Sequence, residues 1–179
     1  MGANTTGSEN VAIGKCALVT NTTASNNVAI GEIALRVNTT GASNTAVGRG
    51  TLTANTTASC NTAVGTSAAA ATTTGCRNVA VGAGALKTNT EGDNNVAIGR
   101  EALGVATTAD NNVAIGMDSL QANTTGHDNI AVGCGALFSN TTAPDNIAVG
   151  YQSQYNTTTG CQNVSMGWQS MVLNTTGDG

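Results

Sequence analysis

The sequence predicts an all-β protein, a parallel β-solenoid (β-roll) of 17-residue coils. Three observations predict it. The pentapeptide Asn10-Val11-Ala12-Ile13-Gly14 returns at an unbroken spacing of 17 residues through Asn163-Val164-Ser165-Met166-Gly167. Each unit carries one short segment of alternating character, and a fixed period with one strand per unit is the mark of a solenoid. The apolar content is 40%, yet only Phe138, Tyr151, Tyr155 and Trp168 are aromatic and most of the rest is Ala and Val. A solenoid stacks such small and β-branched residues into a thin continuous core, each coil touching only its neighbours. The chain of 179 residues is therefore a single array over 1–179, with residues 1–9 a partial repeat and 10–179 ten full ones.

Each element of the unit has a physical reading, counted from its Asn as position 1. That Asn is present in every full unit, as Asn10, Asn27, Asn44, Asn61, Asn78, Asn95, Asn112, Asn129, Asn146 and Asn163. A column of identical Asn side chains predicts an amide hydrogen-bond ladder at a coil corner. Positions 2 and 4 are β-branched in nearly every unit and are expected to face inward, stacked about 4.8 Å apart. Position 3 then faces outward. It is Ala12, Ala29, Ala46, Ala63, Ala80, Ala97, Ala114, Ala131 and Ala148, with Ser165 last. An outward column held to Ala predicts close lateral approach by another copy. The Gly of position 5 predicts a positive φ or a close backbone contact.

Positions 8 and 9 are a small residue and then mostly Leu, as in Ala102-Leu103, which predicts a second inward anchor. Four residues at positions 6–9 leave a helical turn and a second strand both open. Positions 12–15 read mostly Asn-Thr-Thr-Gly, and the first Thr never changes. Its stacked hydroxyls are expected to bond along the axis.

Charge and composition narrow the function. Charged residues are 9% and the net charge is −4, so a nucleic-acid partner has no electrostatic support. No apolar run reaches the roughly 20 residues that span a bilayer, so membrane insertion is not expected. The array fills the sequence to both ends, which predicts a piece of a longer fibre or a unit that stacks end to end. The strand edges at each end suit such stacking.

Candidate chemistry is sparse. His127 is the single histidine, and no acid, base and nucleophile converge, so no catalytic residue, no metal site and no cofactor is predicted. Asp93 and Asp110 share position 16 of adjacent units, which suits a solvated acidic edge better than a calcium site. Among five cysteines, Cys60 and Cys76 lie in adjacent units near enough for a candidate disulfide. Asn-Thr-Thr is also a glycosylation acceptor pattern, at Asn4, Asn21, Asn38, Asn55, Asn123, Asn140, Asn156 and Asn174, and Asn163-Val164-Ser165 is a further match. Thr stays where the Asn becomes Thr72, Ala106 or Thr157, which points to Thr as the structural element.

The string Asn-Thr-Thr-Gly-x-x-Asn-Val-Ala-Ile-Gly-x-x-Ala-Leu resembles repeats of phage tail fibres and bacterial surface proteins. Its Asn-Val-Ala-Ile-Gly core is similar to the head repeats of trimeric autotransporter adhesins, whose units are shorter. The resemblance implies a homotrimer or end-to-end fibre on a virion or cell exterior. It implies a structural, self-assembling shaft or spacer, extracellular and not an enzyme. The alternative is a glycan-binding adhesin module that contacts surface glycans. An ice-binding solenoid using the Thr column is the third reading.

Overall fold

The computed structural model describes residues 2–179. It is a parallel β-solenoid with one three-residue strand per coil. The strands are β1 (Val11–Ile13), β2 (Val28–Ile30), β3 (Thr45–Val47), β4 (Thr62–Val64), β5 (Val79–Val81), β6 (Val96–Ile98), β7 (Val113–Ile115), β8 (Ile130–Val132), β9 (Ile147–Val149) and β10 (Val164–Met166). They form one ten-stranded sheet in chain order. The pairing is parallel and strictly in register, Val11 with Val28, Ala12 with Ala29, Ile13 with Ile30. Every residue therefore stacks on its own counterpart one period away.

The faces of the strand are the reverse of the expectation. Ala29, Ala46, Ala80, Ala97, Ala114, Ala131 and Ala148 are fully buried in the core, Ala63 is nearly so, and Ala12 packs against the same core from the first coil. The Val and Ile of positions 2 and 4 point outward. The reason is parity. Positions 1 and 3 lie on one side of a strand, and the Asn of position 1 is buried from Asn27 onward. Once that amide turns inward, the Ala must follow and the β-branched residues must leave. The Ala column is core, not an interface.

Opposite the Ala column stands the Leu of position 9. Leu18, Leu35, Leu52, Leu86, Leu103, Leu120 and Leu137 are all completely buried. Ala facing Leu leaves a thin, filled interior. Each such Leu contributes about 1.5–3 kcal/mol by leaving water.

The stretch between is neither helix nor second strand. Left-handed residues recur at positions 7 and 9, as at Ile33 (φ 54) and Leu35 (φ 48). The alternation sends successive amides in opposite directions along the axis. Ile33 N donates back to Lys15 O at 2.9 Å, and Leu35 N donates forward to Thr51 O at 3.0 Å. The corner thus ladders to both neighbours without β geometry. A left-handed Leu is costly, about 1 kcal/mol or more, and persists because burial and two ladders hold it.

The position-5 glycine is required twice over. Gly99 has φ +137, and a Cβ there would lie 2.5 Å from the carbonyl oxygen of Gly116. At Gly167 φ is +124, but nothing stands within 4 Å. Gly99→Ala should therefore destabilise the array by about 3 kcal/mol or more, from strain plus a displaced neighbour. Gly167→Ala should cost only the strain. Thermal unfolding of the two variants checks the ranking.

Candidate functional site

The structure builds axial ladders, and the ladders decide which candidate residues are available. The first is the Asn column. Asn27 N donates to Asn10 Oδ1 at 3.0 Å, and Asn44 N donates to Asn27 Oδ1 at 2.9 Å. The relation continues to Asn163 N on Asn146 Oδ1 at 3.1 Å. The amide nitrogen reaches across the coil as well as along it, where Asn44 Nδ2 also donates to Asn27 Oδ1 at 3.2 Å and Asn95 Nδ2 to Asn78 Oδ1 at 3.1 Å. Asn44 Nδ2 donates to Ala58 O and Asn95 Nδ2 to Ala109 O, at 2.8 and 2.7 Å. One side chain thus pins its own coil shut and ties it to the next.

A second Asn column was not foreseen as a ladder. Asn38 Nδ2 donates to Asn21 Oδ1 at 3.1 Å, and Asn55 Nδ2 to Asn38 Oδ1 at 2.8 Å. The same nitrogens donate to the carbonyl three residues on, as Asn38 does to Gly41 O at 2.9 Å. That carbonyl also accepts Asn27 Nδ2 at 3.0 Å, so the two columns meet on one acceptor. The signal was present in the sequence. The second Asn recurs at the same spacing as the first.

This overturns most of the glycosylation set. Asn21, Asn38, Asn55, Asn123 and Asn140 are completely buried, with their amides bonded inside the coil. A sugar on any of them would have to displace the core. Asn4 is exposed, and Asn156 and Asn174 are half-buried. Asn156 differs from the others, since it stands one position earlier and donates to Val172 O at 2.8 Å.

The unchanging Thr has a plain cause. Its hydroxyl donates to the carbonyl of the Thr one coil on, as Thr39 Oγ1 to Thr56 O at 3.0 Å and Thr124 Oγ1 to Thr141 O at 3.0 Å. Ser could supply the hydroxyl, but Thr also favours the extended backbone.

Position 16 caps the coil before it. Cys76 N donates to Asp93 Oδ1 and Asp93 N to Asp110 Oδ1, both at 2.7 Å, and Arg77 Nη2 meets Asp93 Oδ2 at 2.9 Å. The acidic pair thus serves backbone amides. His127 Nδ1 lies 2.8 Å from Asp128 Oδ2 on the open surface.

The Cys60–Cys76 bridge is not formed, and all five cysteines are free. Cys60 is exposed at a left-handed residue (φ 63), while Cys76 Sγ accepts from Ser59 N at 3.4 Å. Neighbouring positions at this corner aim in different directions, so strand spacing alone could not bring the sulfurs together.

One departure from the repeat explains itself. Gln154 replaces the core Leu, Ser153 the Ala beside it, and Ser165 the strand Ala of the next coil. The three meet in the core. Gln154 Nε2 donates to Ile147 O and to Ser165 Oγ at 3.0 Å, and the two serine hydroxyls bond each other.

The outer face of the sheet is the remaining feature. Val and Ile of positions 2 and 4 form two parallel apolar columns, with Val11 43%, Ile13 59%, Ile98 38%, Ile130 38% and Met166 76% exposed. Beside its last coils Tyr151 stacks on Trp168, centroids 6.3 Å apart and planes 14° apart. Phe138 and Tyr155 stack at 4.8 Å on another side.

Two chemical consequences follow from the ladders. Thr72 interrupts the second Asn column, leaving its own hydroxyl and Asn55 Oδ1 buried without partners. Thr72→Asn should restore the ladder and stabilise the protein by about 1–2 kcal/mol, read as a raised thermal midpoint. Near the other end, the Cys161 thiol donates to Asp178 Oδ1 at 3.4 Å. That hydrogen bond, followed by desolvation and the carboxylate's charge, raises the thiol pKa. Asp178→Ala should speed alkylation of Cys161 near pH 8, measured by mass spectrometry against the other four thiols.

Comparison with protein families, curated proteins and solved structures finds no match to this chain.

Proposed function

We propose that the protein is a structural segment, a shaft or spacer of a fibre or filament such as a phage tail fibre or cell-surface appendage. The observation that supports this reading is the continuity of the axial ladders. Backbone, Asn and Thr hydrogen bonds run from coil to coil at every level, so bending must stretch several of them together. Such a rod holds what lies at its two ends about 48 Å apart over ten coils. The reading places it outside the cell or on a virion, without enzymatic activity, and assembling with its own copies as a homotrimer or an end-to-end stack.

A glycan-binding module is the second reading. The exposed Tyr151–Trp168 pair favours it, because aromatic faces take sugar rings. An ice-binding face has less support, since the position-13 hydroxyls from Thr22 to Thr158 already spend their protons on carbonyls, as at Thr39 and Thr124.

The span can be measured with spin labels on Cys16 and Cys161, the other three cysteines being replaced by Ser. A stiff spacer gives one narrow distance near 40 Å, the rise of about eight coils. A broad distribution would sink the spacer reading. A glycan array run on the wild-type chain separates the alternatives, because a spacer stays silent and an adhesin does not.

A further inference from the structure

We propose that the Val/Ile face of the sheet is where the chain packs side by side against a second copy of itself, with the coils level and parallel. The inference rests on the fibre reading above and names its lateral contact.

The face is apolar along its whole length. Neither column contains a charged residue, and Thr45 and Thr62 are its only polar members. Single exposed hydrophobic residues are ordinary on a protein surface. A double column through ten coils, broken only by Thr45 and Thr62 on one side, is not, and such patches mark interaction sites.

Periodicity selects the occupant. The side chains repeat at the strand spacing of about 4.8 Å from β1 to β10. Only a surface with the same repeat can match every level at once, and a second copy has it by construction. The area is also of the right order. A face about 45 Å long, taken with its rims as about 15 Å wide, covers nearly 700 Å² per copy, close to the ~800 Å² of a standard interface.

The rims agree in charge. Position 17 precedes each strand and position 6 follows its Gly. Turning a copy about an axis parallel to the rod sets position 6 of each coil opposite position 17 of the same coil in the second copy. Lys15 then meets Glu9, and Tyr151 can donate to Asp145. No like charges oppose each other at any of the ten levels. The same contact can close as a pair or continue around a three-fold axis.

The geometry supplies its own probe. At the fourth level Thr66 stands opposite Cys60, which is exposed. Within one chain these residues are about 20 Å apart, beyond a short bismaleimide. Thr66→Cys should therefore give a cross-linked pair of chains well above the wild-type background. The wild type should run in light scattering at a whole multiple of the chain mass at micromolar concentration. Ile98→Lys with Ile115→Lys should reduce it to one chain mass with an unchanged circular dichroism spectrum, both side chains being exposed on the single rod. Thr108→Lys with Thr125→Lys, on another exposed column, should leave the assembly intact. A monomeric wild type, a Lys pair that still assembles, or no gain in cross-linking overturns the proposal. If the wild type is monomeric and its spin-label distance is still narrow, the lateral contact fails while the spacer reading stands. A broad distance removes the spacer reading itself.

Discussion

The position-1 amide is the contact on which the coil depends. Its oxygen accepts the backbone N–H of the next coil's Asn, and its nitrogen crosses the interior to a carbonyl on the far wall. Both bonds lie out of water, where an unmet amide would cost about 1–3 kcal/mol. No other side chain of that length offers a donor and an acceptor on one flat group. The inward turn of this Asn then determines, by strand parity, that Ala97 is core and that Val96 and Ile98 face solvent. The character of the outer surface follows from the needs of the inner one.

Most of the coil is not strand. Fourteen of seventeen positions lie outside the strand, and the turn at positions 7 and 9 holds residues at positive φ, most of them not glycine, whose amides reach in opposite directions along the axis. Such strain is affordable in a stack because each coil is clamped from both sides by identical neighbours. The polar core cluster of Gln154, Ser153 and Ser165 obeys the same logic. The two serine hydroxyls and the Gln154 amide nitrogen find one another, while Gln154 Oε1 stays buried without a partner.

Function on such a rod has two directions. Along the axis, the ladders resist bending and set a length. Across it, the double Val/Ile column is a broad apolar surface bordered by isolated charges. The proposed shaft draws on the first property and the proposed lateral contact on the second. The aromatic pair beside the last coils adds a local feature that neither property requires.

The architecture was legible in the sequence because repetition is a strong constraint. A strict period admits only in-register stacking, so the coil length, the single strand and the Thr and Asn columns could all be read from spacing. The sense in which the strand faced could not. A three-residue strand such as Val-Ala-Ile has β-branched residues on one side and Ala on the other, and either side can be buried. What decided it was the width of the interior, already filled by Leu103 and its counterparts, together with the amide of position 1, which needed partners from both walls. For the same reason the Asn of the Asn-Thr-Thr motif, a plausible surface acceptor by its local sequence, lies inside. Spacing along the chain determined which residues stack. Only the closed coil, by bringing opposite walls within hydrogen-bond and packing distance, decided which of them face the core and which the solvent.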